Sequence, residues 1–178
     1  MNGLLKYSLS DADIRNYFNQ KINVIKFSEL NDYDDIFDVL GPYERCIILF
    51  ESGKLDTGHW TALVVIREPK KKPYIEFFDS YGIIIEGELN PKYIPKSFQK
   101  LSNQKRGTLI KLLLNQSLPV HYSQYRLQEL KNGVNTCGKW CCTRCQFNNI
   151  SEDEFAKLMR STDYTPDELV CLLYEENK

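Results

Sequence analysis

The sequence predicts an α+β fold in which a small mixed sheet packs between helices. Short runs rich in Val, Ile and Phe, bounded by polar turns, occupy the middle of the chain and are typical of strands. Segments with helix-capping residues lie nearer both ends. The chain has 178 residues, of which 42% are hydrophobic, so it is long enough for one domain with a real core, whereas the independent cores of two domains would be crowded. We therefore expect a single domain over residues 1–178.

Two helices are expected before the sheet. Ser10 and Asp13 form a capping box, and the apolar residues that follow mark one face of a short helix. A second apolar stripe ends at Gly41-Pro42, residues that stop a helix. The two stripes consist of Ile14, Tyr17 and Phe18, and of Tyr33, Ile36, Phe37 and Leu40.

The central segment is expected to supply the sheet. The predicted strands are Cys46–Phe50, His59–Arg67, Tyr74–Phe78 and Val120–Tyr122. The polar residues 51–58 are expected to form a turn between the first two strands. Because the strands are apolar at both alternating positions, both faces of the sheet should be covered. The stretch 83–107 contains two prolines and is expected to be irregular.

The last third of the chain predicts helices. One runs over Thr108–Asn115 with three buried leucines, and another over Cys137–Phe147. Two further helices have capping signals: Ser151 with Glu154, and Thr165 with Pro166 and Glu168. The three leucines are Leu109, Leu112 and Leu113.

The cysteines argue against a secreted disulfide framework. Four of the six lie within nine consecutive residues, and neighbours on one helix cannot meet disulfide geometry with each other. The chain also starts without a signal-like apolar run and has no stretch long enough to cross a bilayer. We expect reduced thiols, no secretion and no membrane segment.

Cys137 is the candidate nucleophile. It precedes Gly138 and a helix-like run, so it would lie at a helix N-terminus, where peptide dipoles favour the thiolate. Gly138 would let a substrate approach the backbone closely. A catalytic thiol also needs a base, and the chain has only two histidines.

His59 and Asp79 are the candidate base and its orienting carboxylate. His59 is expected to open one strand of a hairpin, and Asp79 to end the partner strand about twenty residues later. Because side chains alternate between the two faces along a strand, His59 and Asp79 are expected on the same face of the sheet. An aspartate in this place can fix the imidazole tautomer and stabilise its charged form.

The chain also resembles a known group of cysteine proteases in three strings that occur in the order His, Asp, Cys. The strings are GHWTALVV, IEFFDSYG and NTCGKWCC. They are similar to those of the adenovirus endopeptidase, of the proteases that remove SUMO and related modifiers, and of proteases from virophages, polintons and large DNA viruses. The resemblance implies an adenain-like cysteine peptidase fold.

The resemblance also assigns an oxyanion hole and a substrate contact. In that family the backbone N–H of the nucleophile and a glutamine side chain six or seven residues upstream stabilise the oxyanion. Here those upstream positions hold Lys131 and Leu130, so the glutamine is expected to be Gln128, with Gln124 as the alternative. Trp60 resembles the family tryptophan that covers a narrow channel for glycine, so a substrate contact is expected there; the alternative is a sheet aromatic packed in the core.

Other candidate sites have weaker support. Cys142 and Cys145 form one CxxC without a second ligand pair, so no zinc site is expected, and the reaction needs no metal or organic cofactor. His121 lacks an accompanying carboxylate and is expected to be structural. Residues 89–128 carry seven basic residues and no acid. Because adenovirus-like proteases can use DNA and a viral peptide as cofactors, the resemblance suggests nucleic-acid contact through Lys100, Lys105 and Arg106.

The function expected from the resemblance is cleavage after glycine in viral capsid precursors during particle maturation, by a monomer in the virion and the host-cell cytoplasm. The string TCGKW is closer in look to the viral proteases than to the DCG typical of SUMO proteases. The alternatives are a deconjugating protease for ubiquitin-like modifiers and an inactive relative that only binds protein.

Overall fold

A computed structural model describes all residues, 1–178, and contains one five-stranded mixed sheet with helices on both faces. The strands are β1 (Asn23–Lys26), β2 (Arg45–Ser52), β3 (Lys54–Ile66), β4 (Tyr74–Phe78) and β5 (Val120–Tyr122), and they lie in this order across the sheet. The two outer pairs are parallel and the two inner pairs are antiparallel. This confirms the predicted α+β class and mixed sheet.

Eight α-helices surround the sheet. They are α1 (Asn2–Lys6), α2 (Asp11–Tyr17), α3 (Ile36–Leu40), α4 (Lys96–Leu101), α5 (Thr108–Leu114), α6 (Cys137–Gln146), α7 (Glu152–Met159) and α8 (Pro166–Glu176). The predicted capping boxes at Ser10, Ser151 and Thr165 are present, each with its side-chain oxygen bound to the N3 backbone N–H. No helix of the structure is both long enough and apolar enough to cross a bilayer.

Each face of the sheet carries its own hydrophobic core. Trp60, Ala62 and Val64 point into a core of 24 buried residues shared with α2, α6, α7 and α8. The intervening Leu63 and Val65 point into a core of 17 buried residues shared with α3 and α5. Both faces are therefore covered, as the apolar residues at both parities predicted.

The hairpin between β2 and β3 differs from the prediction. Residues 51–58 were expected to be a turn, but β2 continues to Ser52, the chain turns at Gly53 with φ +74°, and β3 begins at Lys54. A bulge between Glu51 and Ser52 accompanies the extension. Residues 54–58 are exposed, so they carry no apolar pattern by which a strand could be recognised. His59 therefore lies within β3 and does not open it.

Several short elements were absent from the sequence prediction. They are α1, β1, and a 3₁₀ helix over Phe27–Asp32. The stretch 83–107, expected to be irregular, contains a 3₁₀ turn at Gly87–Leu89 as well as α4. These elements are short, and they depend on the sheet and its cores for support.

A buried ion pair fixes α6 against the sheet. The Arg144 guanidinium donates from Nε to Glu76 Oε1 at 2.7 Å and from Nη2 to Glu76 Oε2 at 2.9 Å, and both side chains are fully buried. Arg144 also donates to the carbonyls of Phe147 and Ile150, beyond the end of α6. This two-point contact sets the position of the helix whose first residue is Cys137.

Candidate active site

Cys137 is the first residue of α6, is partly exposed, and is one of the residues that line a surface cleft. Burial opposes ionisation of its thiol, but the His59 imidazole and the backbone N–H groups of Trp60 and Gly138 lower the pKa of Cys137. These donors and the positive end of the helix all favour a negatively charged sulfur. The predicted position at a helix N-terminus is confirmed.

The structure brings His59 and Asp79 together. His59 Nε2 lies 3.2 Å from Asp79 Oδ1, and Asp79 is fully buried directly after β4. The pairs Ala62–Phe78 and Leu63–Phe77 set a register in which Thr61 is opposite Asp79, two residues from His59 and on the same face. The predicted parity is therefore confirmed.

Tyr81 completes the surroundings of the imidazole. Its backbone N–H donates to Asp79 Oδ1 at 2.7 Å, and its ring stacks on the His59 ring with centroids 4.8 Å apart. The first contact orients the carboxylate, and the second restricts rotation of the imidazole.

The charges in this group stabilise one another. Burial works against charge on His59, but Asp79 and the Cys137 sulfur outweigh it and hold the pKa of His59 well above its usual value. Burial likewise opposes the thiolate, yet the His59 imidazole and two backbone N–H groups lower the pKa of Cys137. Both shifts favour an imidazolium beside a thiolate. Burial also opposes charge on Asp79, but the same histidine outweighs it and lowers the pKa of Asp79.

A second carboxyl group lies beside the imidazole and was missed by the sequence analysis. Glu88 Oε1 is 3.9 Å from His59 Nε2, and one side-chain nitrogen or oxygen from each of His59, Asp79 and Glu88 lies within 4.8 Å of the others. A signal was available: two acids, Glu86 and Glu88, directly follow three isoleucines, and acids in an apolar stretch are rarely buried without a partner. Glu86 instead caps α5, where it accepts from the N–H of Leu109 at 2.7 Å.

Gln128 is buried in the loop before α6. Its Oε1 accepts from the Ser80 hydroxyl at 2.7 Å, and its backbone N–H donates to the Ser80 carbonyl at 2.9 Å. Its Nε2 makes one long contact, 3.4 Å to the Val134 carbonyl. Gln124, the alternative, is exposed. Assignment of Gln128 to the oxyanion hole stays a prediction, and its anchoring next to Asp79 favours it over Gln124.

A cleft of about 570 Å³ is lined in part by Cys137. Trp60 and Leu9 line it close to the sulfur, and Trp60 Nε1 donates to the Leu9 carbonyl at 3.0 Å. Trp60 is mostly buried, so it both lines the cleft and belongs to the core. The space that a Gly138 side chain would occupy is filled by Leu9, whose atoms would lie 3.0–3.3 Å from an added Cβ. Contact of Gly138 with a substrate stays a prediction.

Comparison with known proteins gives one relationship that spans nearly the whole chain. No family model matches the sequence. "Uncharacterized protein V9" of Sputnik virophage is 36% identical over 172 residues, which is 94% of each chain. The chain belongs to the V9 family. The shared length includes far more than the three strings around the candidate triad, so the family relationship rests on the whole domain.

Other candidate residues of this V9-family protein lie away from Cys137, His59 and Asp79 or serve packing. His121 is exposed on β5 and stacks on Tyr74 with ring centroids 4.3 Å apart. All six cysteines are free, and Cys141, Cys142 and Cys145 are buried in the core under α6. Burial raises the pKa of each of these three thiols, so they are less reactive than Cys137.

The basic residues proposed for nucleic-acid contact in this V9-family protein are accessible. Lys100 is at the end of α4, and Lys105 and Arg106 lie in the turn before α5. All three side chains are exposed. Contact with nucleic acid through these residues stays a prediction.

Proposed function

We propose that this V9-family protein is a cysteine endopeptidase with Cys137 as nucleophile, His59 as acid and base, and Asp79 as the orienting carboxylate. One observation carries the proposal: His59 lies 3.2 Å from buried Asp79 and lowers the pKa of Cys137, and Cys137 lines a surface cleft. The adenain-like strings around the same three residues support it. The lowered pKa of Cys137 supplies the reactive form of the thiol.

The proposed reaction is acyl transfer. The Cys137 thiolate attacks the carbonyl carbon of the scissile bond and forms a tetrahedral intermediate. The His59 imidazolium then gives its proton to the leaving amine, which departs and leaves a thioester on Cys137. His59, now neutral, takes a proton from water, and the resulting hydroxide equivalent releases the acid product and the thiolate. Asp79 stabilises the imidazolium in both halves.

The proposed oxyanion hole consists of the Cys137 backbone N–H and Gln128 Nε2. The first N–H groups of a helix have no intrahelical acceptor, so that of Cys137 is free to bind an oxyanion. Gln128 is held through Oε1 by Ser80, which leaves its amide N–H groups as donors. A donor of this kind contributes about 2.7–4 kcal/mol to transition-state stabilisation.

The proposed substrates are viral capsid precursors cleaved after glycine. The similarity of Trp60 to the tryptophan that covers the family's glycine channel supports the glycine preference. Membership in a family that includes a Sputnik virophage protein supports a viral role over deconjugation of ubiquitin-like modifiers. The finer assignment, to the adenain clan and to maturation proteolysis, is part of this proposal.

The test is proteolysis of defined substrates. The purified protein is mixed with capsid precursors of its own virus and, separately, with SUMO and ubiquitin C-terminal fluorophore conjugates. Mass spectrometry of new N-termini should show cleavage after glycine in the precursors. Cys137→Ala should abolish it, whereas Cys46→Ala, which removes one buried sulfur from the opposite core, should retain it. Cleavage of the modifier conjugates alone would replace the maturation role with deconjugation.

A further inference from the structure

The carboxylate of Asp79 is incompletely satisfied by the triad. Asp79 Oδ1 receives the imidazole at 3.2 Å and the Tyr81 N–H at 2.7 Å. Asp79 Oδ2 is buried, and no N–H or hydroxyl of the protein reaches it. A buried carboxylate oxygen without a hydrogen-bond donor carries a large desolvation cost.

Glu88 presents a second oxygen in the same condition. It lies on the 3₁₀ turn Gly87–Leu89 and is nearly buried, and its Oε1 also lacks an N–H or hydroxyl donor. A side-chain oxygen of Glu88 and one of Asp79 lie within 4.8 Å of each other. Two neighbouring carboxyl groups with unsatisfied oxygens can satisfy each other if one of them carries a proton.

The surroundings decide which group carries it. Asp79 is stabilised as an anion by His59 and by the Tyr81 N–H. Three titratable groups act on Glu88: His59 of β3, Asp79 at the end of β4, and Cys137 of α6. No backbone N–H donates to the Glu88 carboxyl group. Two buried carboxylates in contact do not both ionise, and the proton stays on the one with fewer donors.

We infer that Glu88 is a protonated positioning residue that donates its O–H to Asp79 Oδ2 and thereby holds Oδ1 on the His59 imidazole. This inference rests on the proposed function and adds a fourth member to the triad. Burial, and to a lesser extent Asp79, raises the pKa of Glu88 to about 8, against the opposing effect of His59. Glu88 is therefore mainly neutral below about pH 8.

The arrangement has a consequence for the alkaline range. Above pH 8 the Glu88 proton is lost to solvent, and a second negative charge then lies 3.9 Å from His59 Nε2. Asp79 Oδ2 loses its donor at the same time, and the two carboxylates repel each other. The imidazole is no longer held in one orientation, so turnover falls while substrate binding in the cleft is retained.

The first test does not depend on proteolysis. Protein labelled with ¹³C at the glutamate carboxyl carbons is titrated by NMR, and one resonance should titrate near pH 8 and be missing in Glu88→Gln. Asp79→Asn should move that titration to lower pH, because it removes the neighbouring negative charge. If every glutamate resonance titrates below pH 6, the inference is wrong whether or not the protein is a protease.

The second test separates positioning from simple packing. Glu88→Gln keeps a donor for Asp79 Oδ2, whereas Glu88→Leu removes it at similar volume. At pH 7 we expect kcat of Glu88→Leu to fall about ten-fold with little change in KM, and Glu88→Gln to recover most of it. Equal losses in the two variants, with unchanged thermal stability, would contradict the role of the O–H donor.

The third test concerns metal. His59, Asp79 and Glu88 could also act as ligands, since their atoms lie close together. Elemental analysis of the purified protein, and a zinc titration followed by calorimetry, should show no stoichiometric ion whose binding depends on Glu88. A tightly bound ion that is lost in Glu88→Gln would overturn the shared-proton arrangement.

Discussion

At the scale of single residues, the site is organised around the charge of His59. The Asp79 carboxylate, 3.2 Å from the imidazole, and the Cys137 sulfur both raise the pKa of His59 and so favour the imidazolium. His59 in turn favours the thiolate. Neither charge would be stable alone in this buried place, so removal of one partner changes the protonation of the others.

The first prediction concerns thiol reactivity. Because His59 and two backbone N–H groups lower the pKa of Cys137, its alkylation by iodoacetamide should persist below pH 8 and decline as the pH falls through the lowered pKa. In His59→Ala, burial dominates and the pKa rises, so the rate at pH 7 should fall about ten-fold or more. Mass spectrometry of alkylated peptides measures both rates. A reactivity profile that is the same in the two proteins would contradict the pairing.

The second prediction concerns the orienting carboxylate. Asp79→Asn keeps the shape but presents an amide to the imidazole, which favours the wrong tautomer and removes the charge that stabilises it. We expect kcat to fall on the order of 10³-fold or more, with KM little changed. Asp163→Asn, a change of the same kind at an exposed loop residue, is the control and should have no effect on peptide cleavage.

At the scale of elements, the loop and helix that carry Cys137 are fixed at both ends. Arg144 joins the far end of α6 to β4 through Glu76. At the near end, Asp167 of α8 accepts from the Thr136 hydroxyl, from Trp140 Nε1 at 2.9 Å, and from the Glu129 backbone N–H at 2.8 Å. A carboxylate with three such donors fixes the turn between Gln128 and α6.

The third prediction tests the buried ion pair. Arg144→Met leaves the Glu76 carboxylate buried without its partner, so the free energy of unfolding should fall by about 3–5 kcal/mol. The double variant Glu76→Leu, Arg144→Met should recover much of this loss, because both charges are gone. Urea unfolding at pH 7 measures the three values. If the double variant is as unstable as the single one, the loss is due to packing and not to the unpaired charge.

At the scale of the whole molecule, the cleft is built from distant parts of the chain. The segment around Leu9 forms one wall, and the main chain of residues 5–9 is held by side chains of the body. Asn135 Nδ2 donates to the Lys6 carbonyl at 2.9 Å, and Trp60 Nε1 donates to that of Leu9 at 3.0 Å. Lys139, buried on α6, donates to the Tyr7 carbonyl. The N-terminal segment is thus part of the candidate site.

The fourth prediction tests that wall. The helix propensity of alanine is more favourable than that of glycine by about 1 kcal/mol. However, a Cβ at position 138 would lie 3.0 Å from Leu9 Cβ and 3.3 Å from two further Leu9 atoms. We expect Gly138→Ala to lower the free energy of unfolding and to raise KM, because Leu9 must move. In a Leu9→Ala background, which removes two of the three close atoms, the loss of stability from Gly138→Ala should be smaller. Equal losses in both backgrounds would contradict this contact.

The features that the sequence predicted correctly depend on local rules or on parity. Capping boxes at Ser10, Ser151 and Thr165 involve residues three apart, and the shared face of His59 and Asp79 follows from alternation along two strands. Two features were not predicted: β1 and the extension of β3 over residues 54–58. Both depend on backbone pairing with β2, and such pairing requires no apolar pattern in the sequence. Glu88 reaches the site only because the chain after β4 folds back over it.

The most direct measurement of the central claim is covalent labelling by an electrophilic peptide that ends in glycine. Intact-mass and peptide mapping should show one label per chain on Cys137, and none on Cys46, Cys141, Cys142, Cys145 or Cys171, which are all buried. His59→Ala should reduce the labelling rate strongly, because the thiolate loses its partner. Labelling that is absent from the wild-type protein, or that proceeds equally fast without His59, would contradict a catalytic Cys137–His59–Asp79 site.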